Sequence, residues 1–268
     1  MKKVGFVGAG NMAGALLKGL LETKVHRARD VWASDANPKQ SRGLARAHGI
    51  GVAPDNATLV AESVLVVLAV KPQVMDAVLA EVRPVVGRQL FVSIAAGIPT
   101  ARLEAGLGPR ARVIRAMPNT PALVGAGITV VVRGRKATAA DERLALALFC
   151  GVGEVVRVKD EALMDAVTGL SGSGPAYVYR FAEGLVAGGI AEGLPERTAR
   201  QLAYQTIRGA ALMMQQTGRS PEDLRAMVTS PGGTTLAGLQ TLEAGGFAAT
   251  VTAGVQSATR RARELGRG

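Results

Sequence analysis

The stretch VGFVGAGNMAGALL, from Val4 to Leu17, decides the fold of this chain. An apolar run leads into glycines, and apolar residues with helical spacing follow as far as Leu21. Gly8, Gly10 and Ala13 have the G-x-G-x-x-G/A spacing of a dinucleotide-binding turn. Such a site needs a tight turn, bare backbone beside the pyrophosphate, and free helix amides that face an anion. The stretch therefore predicts a strand, a dinucleotide-binding turn and a helix; the alternative is a tight strand-to-helix turn without a ligand.

Strands and helices are predicted to alternate outward from this turn. Continuous apolar runs are typical of parallel strands buried on both faces, and their alternation with helices indicates a doubly wound α/β sheet. The predicted strands are Lys3–Gly8, Val31–Ala33, Ser63–Ala69, Gln89–Ala95, Arg112–Ala116, Ile128–Val132 and Glu154–Val158. The predicted helices among them are Met12–Leu21, Pro38–His48, Val74–Val82, Pro99–Ala105 and Ala140–Cys150.

After about Lys159 the pattern changes, and we expect only helices. Prolines fall near the predicted helix starts, where proline is tolerated. The predicted helices are Ala162–Val167, Ala176–Glu192, Glu196–Gln216, Pro221–Val228, Thr235–Ala244 and Thr250–Leu265. We therefore predict a dinucleotide-binding domain at residues 1–159 and an all-α domain at residues 160–268.

The composition is that of a folded protein without a membrane span. The chain has 268 residues, of which 48% are hydrophobic and 20% charged. Its longest apolar run, Val64 to Val70, is far shorter than the roughly 20 residues that cross a bilayer. The start MKKVGFVGAG has neither a long apolar core nor a cleavage site, which argues against a signal peptide. We therefore expect a cytoplasmic protein.

Few side chains are available for disulfide or metal chemistry. Cys150 is the single cysteine, and His26 and His48 are the only histidines. We therefore expect no internal disulfide and no metal site. The formal net charge of +11 is spread along the chain without a dense basic block. This argues against nucleic acid as the main partner and leaves the charge to attract anionic ligands.

The end of the second predicted strand leaves the choice of dinucleotide open. Asp35 stands where a residue that contacts the adenosine ribose is expected, and an acid there favours NAD. Ser34, with Lys39 and Arg42 nearby, would instead accommodate the 2′-phosphate of NADP. A third interpretation makes Asp35 the cap of the helix that opens at Asn37–Pro38.

Three more loops follow strands at the edge where ligands of parallel sheets bind. They are LAVKPQ (Leu68–Gln73), AAGIP (Ala95–Pro99) and RAMPNTPALVGAG (Arg115–Gly127). Lys71 lies either near a phosphate or the nicotinamide, or free in solvent. The prolines of the third loop hold Asn119–Thr120 rigid, whether as part of the ligand site or as a stiff turn.

Two glycine-rich segments interrupt the helical half. TGLSGSGPAYVY, Thr168 to Tyr179, lacks the G-x-S-x-G spacing of a serine nucleophile and reads as a helix start near Ser173 or Gly174. In VTSPGGTT, Val228 to Thr235, we expect Ser230 to cap a helix that Pro231 opens. Two glycines would then lie in a first turn, where each costs about 1 kcal/mol relative to alanine. Either a ligand approaches that backbone closely or the turn bends.

Five segments together resemble the pyrroline-5-carboxylate reductase family. They are GAGNMA (Gly8–Ala13), AVKPQ (Ala69–Gln73), AMPNTP (Ala116–Pro121), DAVTGLSGSGPAY (Asp165–Tyr177) and VTSPGGTT (Val228–Thr235), and they span nearly the whole chain. The resemblance implies an N-terminal Rossmann-like domain followed by an all-α dimerisation domain, as a homodimer and often a ring of dimers. It also implies reduction of 1-pyrroline-5-carboxylate to L-proline by NADPH, with NADH as the alternative.

The resemblance also implies a role for individual positions. The imine carboxylate would lie on Ser230, Gly232, Gly233 and Thr234, and Thr235 would be the catalytic residue that reaches the ring nitrogen. The cofactor-binding positions would be Gly8, Gly10, Asn11, Met12, Ser34, Asn56, Ala69, Val70, Lys71, Pro72, Ala95, Gly97, Met117, Pro118, Asn119 and Thr120.

Four other functions fit part of the pattern. A β-hydroxyacid dehydrogenase would use a lysine after the cofactor domain, but no lysine follows Lys159; another imine reductase would keep the fold and change the substrate. A regulator that only senses dinucleotides would have no need of the GLSGSGP and SPGGTT segments. A nucleic-acid binder would show strongly salt-dependent affinity.

Overall fold

The protein contains one mixed sheet and two compact units. The structure is a computed structural model that describes residues 3–24 and 26–267. One unit comprises the described residues up to Ser173 together with those from Ser257 onwards, and the other comprises Gly174–Gln256.

The sheet of the first unit has eight strands in the order β3-β2-β1-β4-β5-β6-β7-β8. All neighbouring strands are parallel except β6 and β7, which are antiparallel. The strands are β1 (Lys3–Val7), β2 (Val31–Ser34), β3 (Gly51–Val52), β4 (Ser63–Leu68), β5 (Leu90–Ser93), β6 (Arg112–Pro118), β7 (Gly127–Arg133) and β8 (Gly153–Arg157). The predicted Rossmann-like α/β fold is confirmed.

Within the described residues, seven α-helices precede Gly174 and five begin from Gly174 onwards. They are α1 (Asn11–Glu22), α2 (Pro38–His48), α3 (Asn56–Glu62), α4 (Met75–Val82), α5 (Thr100–Leu107), α6 (Ala139–Phe149), α7 (Met164–Val167), α8 (Gly174–Ala191), α9 (Glu196–Thr217), α10 (Pro221–Met227), α11 (Thr234–Ala244) and α12 (Phe247–Arg267).

The sheet has a hydrophobic core on each face. In β4, Leu65 and Val67 point into the cluster beneath α1 and α6, whereas Val66 and Leu68 point into the cluster beneath α3, α4 and α5. Alternate residues of a strand face opposite sides, so a strand covered on both sides must be apolar throughout. This explains why β4 reads as an uninterrupted apolar run.

Two features of the sheet were not predicted. The two-residue strand β3 is too short to give a periodic signal. The antiparallel direction of β7 follows from the short connection of residues 119–126, since a parallel crossover needs a dozen or more residues. The length of that connection could therefore have predicted the antiparallel direction of β7.

The second unit leaves many large apolar side chains exposed. Ala182, Ala199 and Ala203 are its buried hydrophobic residues. The exposed ones on α8 and α9 include Val178, Tyr179, Phe181, Leu185, Ile190, Leu202, Tyr204 and Leu212. An apolar surface of this kind is typical of a protein–protein contact.

No helix within the described residues is long and apolar enough to cross a membrane.

Candidate functional site

The turn between β1 and α1 has the geometry of an anion site. Gly8 has φ +97°, and a Cβ there would lie 2.6 Å from the carbonyl oxygen of Ala69. Gly10 is the N-cap of α1 and provides no side-chain cap for the first amides. A Cβ on Gly10 would meet no protein atom within 4 Å. The turn therefore presents helix amides to open space, as the binding of an anion requires.

Asp35 connects this turn to α2. Its Oδ2 accepts the N–H of Ala9 at 2.8 Å, and its Oδ1 accepts the N–H of Asn37 at 2.8 Å. The N-cap of α2 is Asn37, whose side chain accepts the N–H of Lys39 at 3.1 Å. The interpretation of Asp35 as the helix cap is therefore wrong, because Asn37 supplies that hydrogen bond.

A cleft of ≈ 470 Å³ opens beside the glycine turn. Its lining includes six of the predicted cofactor positions, which are Gly8, Gly10, Asn56, Ala69, Val70 and Lys71. One face of α4 and the residue before it were missed as lining, namely Val74, Ala77, Val78 and Glu81. These residues have i, i+3, i+4, i+7 spacing, so the signal for them was the helical face that follows LAVKPQ.

Ser34 and Asn56 form a chain of hydrogen bonds at one end of the cleft. The Ser34 hydroxyl is buried and donates to Oδ1 of Asn56 at 2.7 Å. The Nδ2 of Asn56 donates to Oε2 of Glu81 at 2.7 Å. Asn56 thus lines the cleft, while Ser34 lies behind it. Together with Asp35, Glu81 places a second carboxylate at this end of the cleft.

Asn56 is presented by the start of α3, which has a charged cap. The side chain of Asp55 accepts the N–H of Thr58 at 2.6 Å. Hydrogen bonds from Thr58, its backbone N–H first, lower the pKa of the Asp55 carboxyl. The first turn of α3 is therefore stabilised by the protein's own anion, unlike that of α1.

The remaining cofactor positions predicted at the start of α1 and after β4 are exposed or half-buried. Asn11 is exposed and lines a smaller cleft with Ala9 and Gly10. Met12 and Pro72 are half-buried.

The loop after β5 is largely enclosed. Ala95 and Gly97 are buried, and Gly97 has φ +74°. A Cβ on Gly97 would lie 3.2 Å from the Cβ of Leu265 on α12. The end of α12 therefore covers this loop, and Ala95 and Gly97 are not part of the lining of the cleft at Gly8.

The loop after β6 packs against the segment TGLSG. Asn119 donates from Nδ2 to the carbonyl oxygen of Ser171 at 3.2 Å and accepts the N–H of Ile128 at 2.9 Å. A Cβ on Gly172 would lie 2.5 Å from the Cε of Met117. Pro118 is buried within β6, and Thr120, exposed, begins the next helical turn. The structure thus brings two of the sequence motifs together at the end of β6.

The segment Thr168–Gly172 is π-helical, and α8 begins at Gly174. Short π-helical segments are frequent at functional sites. The prediction of a helix start at this position is confirmed.

The predicted helix Thr235–Ala244 is confirmed within one residue, but the interpretation of Ser230 as its cap and Pro231 as its first residue is wrong by three residues. The N–H of Gly233 donates to the carbonyl oxygen of Ser230 at 3.0 Å, and Gly232 has φ +69°. Pro231 and Gly232 are therefore the centre of a type II β-turn, in which the third position needs a positive φ. The N-cap is Gly233, and α11 begins at Thr234 without a side-chain cap.

This turn offers backbone amides at the surface of its unit. Ser230, Gly232 and Thr234 are exposed, and Gly233 and Thr235 are half-buried. The first turn of α11 contains no acidic residue. These are the conditions under which a helix N-terminus binds a carboxylate.

No group of three or more His, Cys, Asp or Glu side chains suited to a metal ion occurs within residues 3–24 and 26–267.

Comparison with known proteins yields two family models. Residues 161–265 match the family described as "Pyrroline-5-carboxylate reductase dimerisation". Residues 3–97 match "NADP oxidoreductase coenzyme F420-dependent". Together the two models span both halves of the chain.

Full-length relatives agree with the dimerisation model. The chain is 41% identical to a pyrroline-5-carboxylate reductase of Methanosarcina acetivorans over 99% of this chain and 98% of that protein. The structure of a pyrroline-5-carboxylate reductase from Coxiella burnetii superposes with a TM-score of 0.91 at 33% identity, covering 98% of both chains. Plasmodium falciparum pyrroline carboxylate reductase with NADP bound gives a TM-score of 0.90 at 30% identity, covering 99% of this chain and 98% of that one.

Proposed function

The chain belongs to the pyrroline-5-carboxylate reductase family, and on that premise we propose that the turn at Ser230–Thr235 binds the imine substrate while the turn at Gly8–Ala13 binds the cofactor. The protein is an oxidoreductase that reduces 1-pyrroline-5-carboxylate to L-proline, the last step of proline biosynthesis. NADPH is the hydride donor, with NADH as the alternative.

The uncapped start of α11 is the observation that carries the proposed substrate site. Gly233 leaves the first amides of the helix without a side-chain acceptor. The substrate carboxylate would accept these amides beside Ser230, Gly232 and Thr234, with the helix dipole favouring its negative charge. Because Gly232 and Gly233 have no side chains, the carboxylate can approach the backbone closely.

The cofactor positions fit a dinucleotide for the same physical reason. The open space over Gly10 and the uncapped start of α1 suit the pyrophosphate, which Asn11 and Met12 would contact through their amides. Asn56, Ala69, Val70 and Lys71 line the adjoining cleft. The other proposed positions are Ser34, Pro72, Ala95, Gly97, Met117, Pro118, Asn119 and Thr120.

In this proposal the enzyme catalyses the reaction mainly by holding the imine and the nicotinamide in the right orientation. When bound, the nicotinamide supplies a hydride to the carbon of the C=N bond. The imine nitrogen can arrive protonated, so the chain needs no strong acid or base at this step. The hydroxyl of Thr235 would hold the nitrogen in place and stabilise it as the bond order falls.

We also propose the arrangement in which the enzyme works. The helical domain, residues 160–268, would form a homodimer, and dimers would join into a ring. Support comes from the dimerisation model at residues 161–265 and from the exposed apolar side chains of α8 and α9. A mass near that of one 27.6 kDa chain in solution would contradict the dimer. We place the enzyme in the cytoplasm, where a chain with one cysteine needs no disulfide.

The proposed role of Thr235 is tested by Thr235→Ala in an assay of NADPH oxidation at about 340 nm. We expect kcat to fall about 10- to 100-fold, the loss of one hydrogen bond to a charged group, while the Kd of NADPH stays unchanged. Thr241→Ala is the control, since Thr241 lies on the same helix and donates to the carbonyl oxygen of Ala237. Equal kcat values for wild type and Thr235→Ala would remove Thr235 from the mechanism.

A further inference from the structure

Arg115 is a buried charge that the proposed mechanism does not use. It lies on β6, two residues before Met117, and is 5% exposed. Within the described residues it is the one Arg or Lys that is buried. Removing a guanidinium from water is unfavourable unless anions and hydrogen bonds surround it. The partners of Arg115 therefore indicate what the buried charge holds together.

Two carboxylates face the guanidinium. Nη1 of Arg115 donates to Oε1 of Glu161 at 3.1 Å, and Nη2 lies 3.6 Å from Oδ1 of Asp165. Both carboxylates are themselves partly shielded from solvent, with side-chain exposures of 28% and 23%. We call these three residues the Arg115 cluster. Its partners are Glu161, in the helical turn before α7, and Asp165, within α7.

Glu161 connects the cluster to the start of α5. Its Oε1 accepts the N–H of Thr100 at 2.8 Å, and its Oε2 accepts the Thr100 hydroxyl at 2.5 Å. The N-cap of α5 is Pro99, which has no side-chain group to bind those amides. Glu161 thus caps α5 although it is distant from α5 in the sequence. Because α5 directly follows the loop that contains Ala95 and Gly97, Glu161 also holds the end of that loop.

Asp165 connects the cluster to the π-helical segment Thr168–Gly172. That segment begins three residues after Asp165 and contacts the side chains of Met117 and Asn119. One guanidinium therefore joins the segment after β5, the end of β6 and the segment before α8.

We propose that Arg115, Glu161 and Asp165 are positioning residues that fix the three segments relative to one another and so set the geometry of hydride transfer. The inference rests on the proposed function, in which Ala95, Gly97 and Met117–Thr120 are cofactor-binding positions. A planar guanidinium with directed N–H groups fixes position better than an apolar cluster of the same volume, although the apolar cluster would be as stable or more so. Displacement of a reacting group by about 1 Å can lower a rate about 100-fold.

The test compares two arginines of the same strand. Arg115→Met removes the guanidinium of the cluster. Arg112→Met is the control, because Arg112 is the first residue of β6 and pairs with Asp141 at 2.5 Å instead of with the cluster. We expect Arg115→Met to lower kcat about 10- to 100-fold with both substrates saturating, and Arg112→Met to change it less than about 2-fold.

A readout of hydride transfer separates positioning from lost stability. With NADPH deuterated at the transferred position, the isotope effect on kcat should be larger for Arg115→Met than for wild type, because hydride transfer becomes rate-limiting. Arg115→Lys should recover part of kcat, since it restores the charge without the planar fork. If Arg115→Met does not fold, Glu161→Gln is tested in its place. Glutamine has the size of glutamate and keeps one oxygen that can accept a hydrogen bond from Thr100.

Hydrogen exchange distinguishes failure of this inference from failure of the proposed site. Protection of residues 94–99 and 117–120 by NADPH in the wild type tests whether these loops line the cofactor, and no protection there would contradict the proposed site. Faster exchange of residues 94–101 and 168–173 in the variant tests the cluster. The positioning role would be overturned if NADPH protects these loops in the wild type but the variants behave like the wild type. In that case Arg115→Met or Glu161→Gln would show the wild-type kcat, isotope effect and hydrogen exchange.

Discussion

Two glycine-capped helix starts of this protein have nearly the same backbone geometry and very different surroundings. The caps are extended, at φ −77° and ψ −177° for Gly10 and at φ −78° and ψ 166° for Gly233, and neither has a side-chain cap. Helix α1 buries Ala13, Ala15, Leu16, Leu17, Gly19 and Leu20, whereas α11 buries none of its residues in the described subunit.

The two helix starts show that an anion site depends on two features: the backbone amides that attract the anion, and the hydrophobic core that holds the helix in place. The amides and the dipole of a helix start suffice to attract an anion, and both turns have them. A core behind the helix fixes where those amides point. The turn proposed for the cofactor has such a core within one subunit, and the proposed homodimer would supply support for the turn proposed for the substrate.

The largest effects are expected at the cofactor turn, where Gly8→Ala and Gly10→Ala should differ. Gly8→Ala places a Cβ against the backbone of Ala69 at a positive φ, so it should lower both Tm and activity. Gly10→Ala meets no protein atom, so Tm should stay near wild type while the Kd of NADPH rises about 100-fold. Calorimetry and fluorescence titration measure the two quantities. If Gly10→Ala binds NADPH as tightly as the wild type, Gly10 does not face the pyrophosphate, and the start of α1 is not an anion site like that proposed at α11.

Gly233→Ala should act on the other substrate. Its Cβ would lie 2.5 Å from Oγ and 3.1 Å from the carbonyl oxygen of Ser230, so Ser230, in the turn proposed to hold the carboxylate, must shift. We expect the KM of the imine to rise about 10-fold, the loss of one charge-assisted hydrogen bond, with an unchanged KM for NADPH. Gly238→Ala, in the interior of α11 with no neighbour within 4 Å in the subunit, serves as the control. A rise in the KM of NADPH alone would assign this turn to the cofactor.

Asp35→Asn should change the choice between the two cofactors. The carboxylates of Asp35 and Glu81 both line the cleft beside Asn56, where they would repel a 2′-phosphate. We expect kcat/KM for NADPH to rise about 3- to 10-fold relative to that for NADH. The ratio is the useful measure, since any loosening of the bond to Ala9 affects both cofactors. An unchanged ratio would show that the 2′-phosphate lies away from Asp35.

The smallest effect is expected at α3, the helix start that is capped by a carboxylate. The pKa of Asp55 is lowered by its hydrogen bonds to Thr58, so the cap stabilises the fold above the usual pKa of 3.8. That stabilisation is lost as the pH falls through the lower folded-state pKa. The Tm difference between wild type and Asp55→Ala should therefore be present at neutral pH and shrink under strongly acidic conditions. A difference that is independent of pH would mean that the carboxylate is not the cap.

Local sequence patterns located the backbone turns of the proposed site because such patterns act through the backbone. Gly8 and Gly10 have the spacing of a tight turn between a strand and a helix, and the structure has that turn. The SPGG segment was located correctly but assigned the wrong start, since proline followed by glycine suits a type II turn as well as a first helical turn. The positive φ of Gly232 decides between them, and no periodic pattern reports a dihedral angle.

Pairings across the chain were not predictable in the same way. Ala9 and Asp35 are 26 residues apart, and Arg115 and Glu161 are 46 apart. A charged residue in a sequence shows neither which amide it accepts nor whether it is buried. These contacts depend on strand order and register, which are set by packing of the whole sheet.

The sequence by itself determined the alternation of strands and helices, the glycine turn between β1 and α1, and the two glycine-rich segments of the helical half. Periodicity and glycine spacing encode these features because they are properties of short stretches of backbone. The tertiary structure alone decided the direction of β7, the partners of Asp35 and the assembly of the Arg115 cluster. Those features depend on which segments become neighbours when the apolar faces of the sheet are buried, and that is a property of the folded chain as a whole.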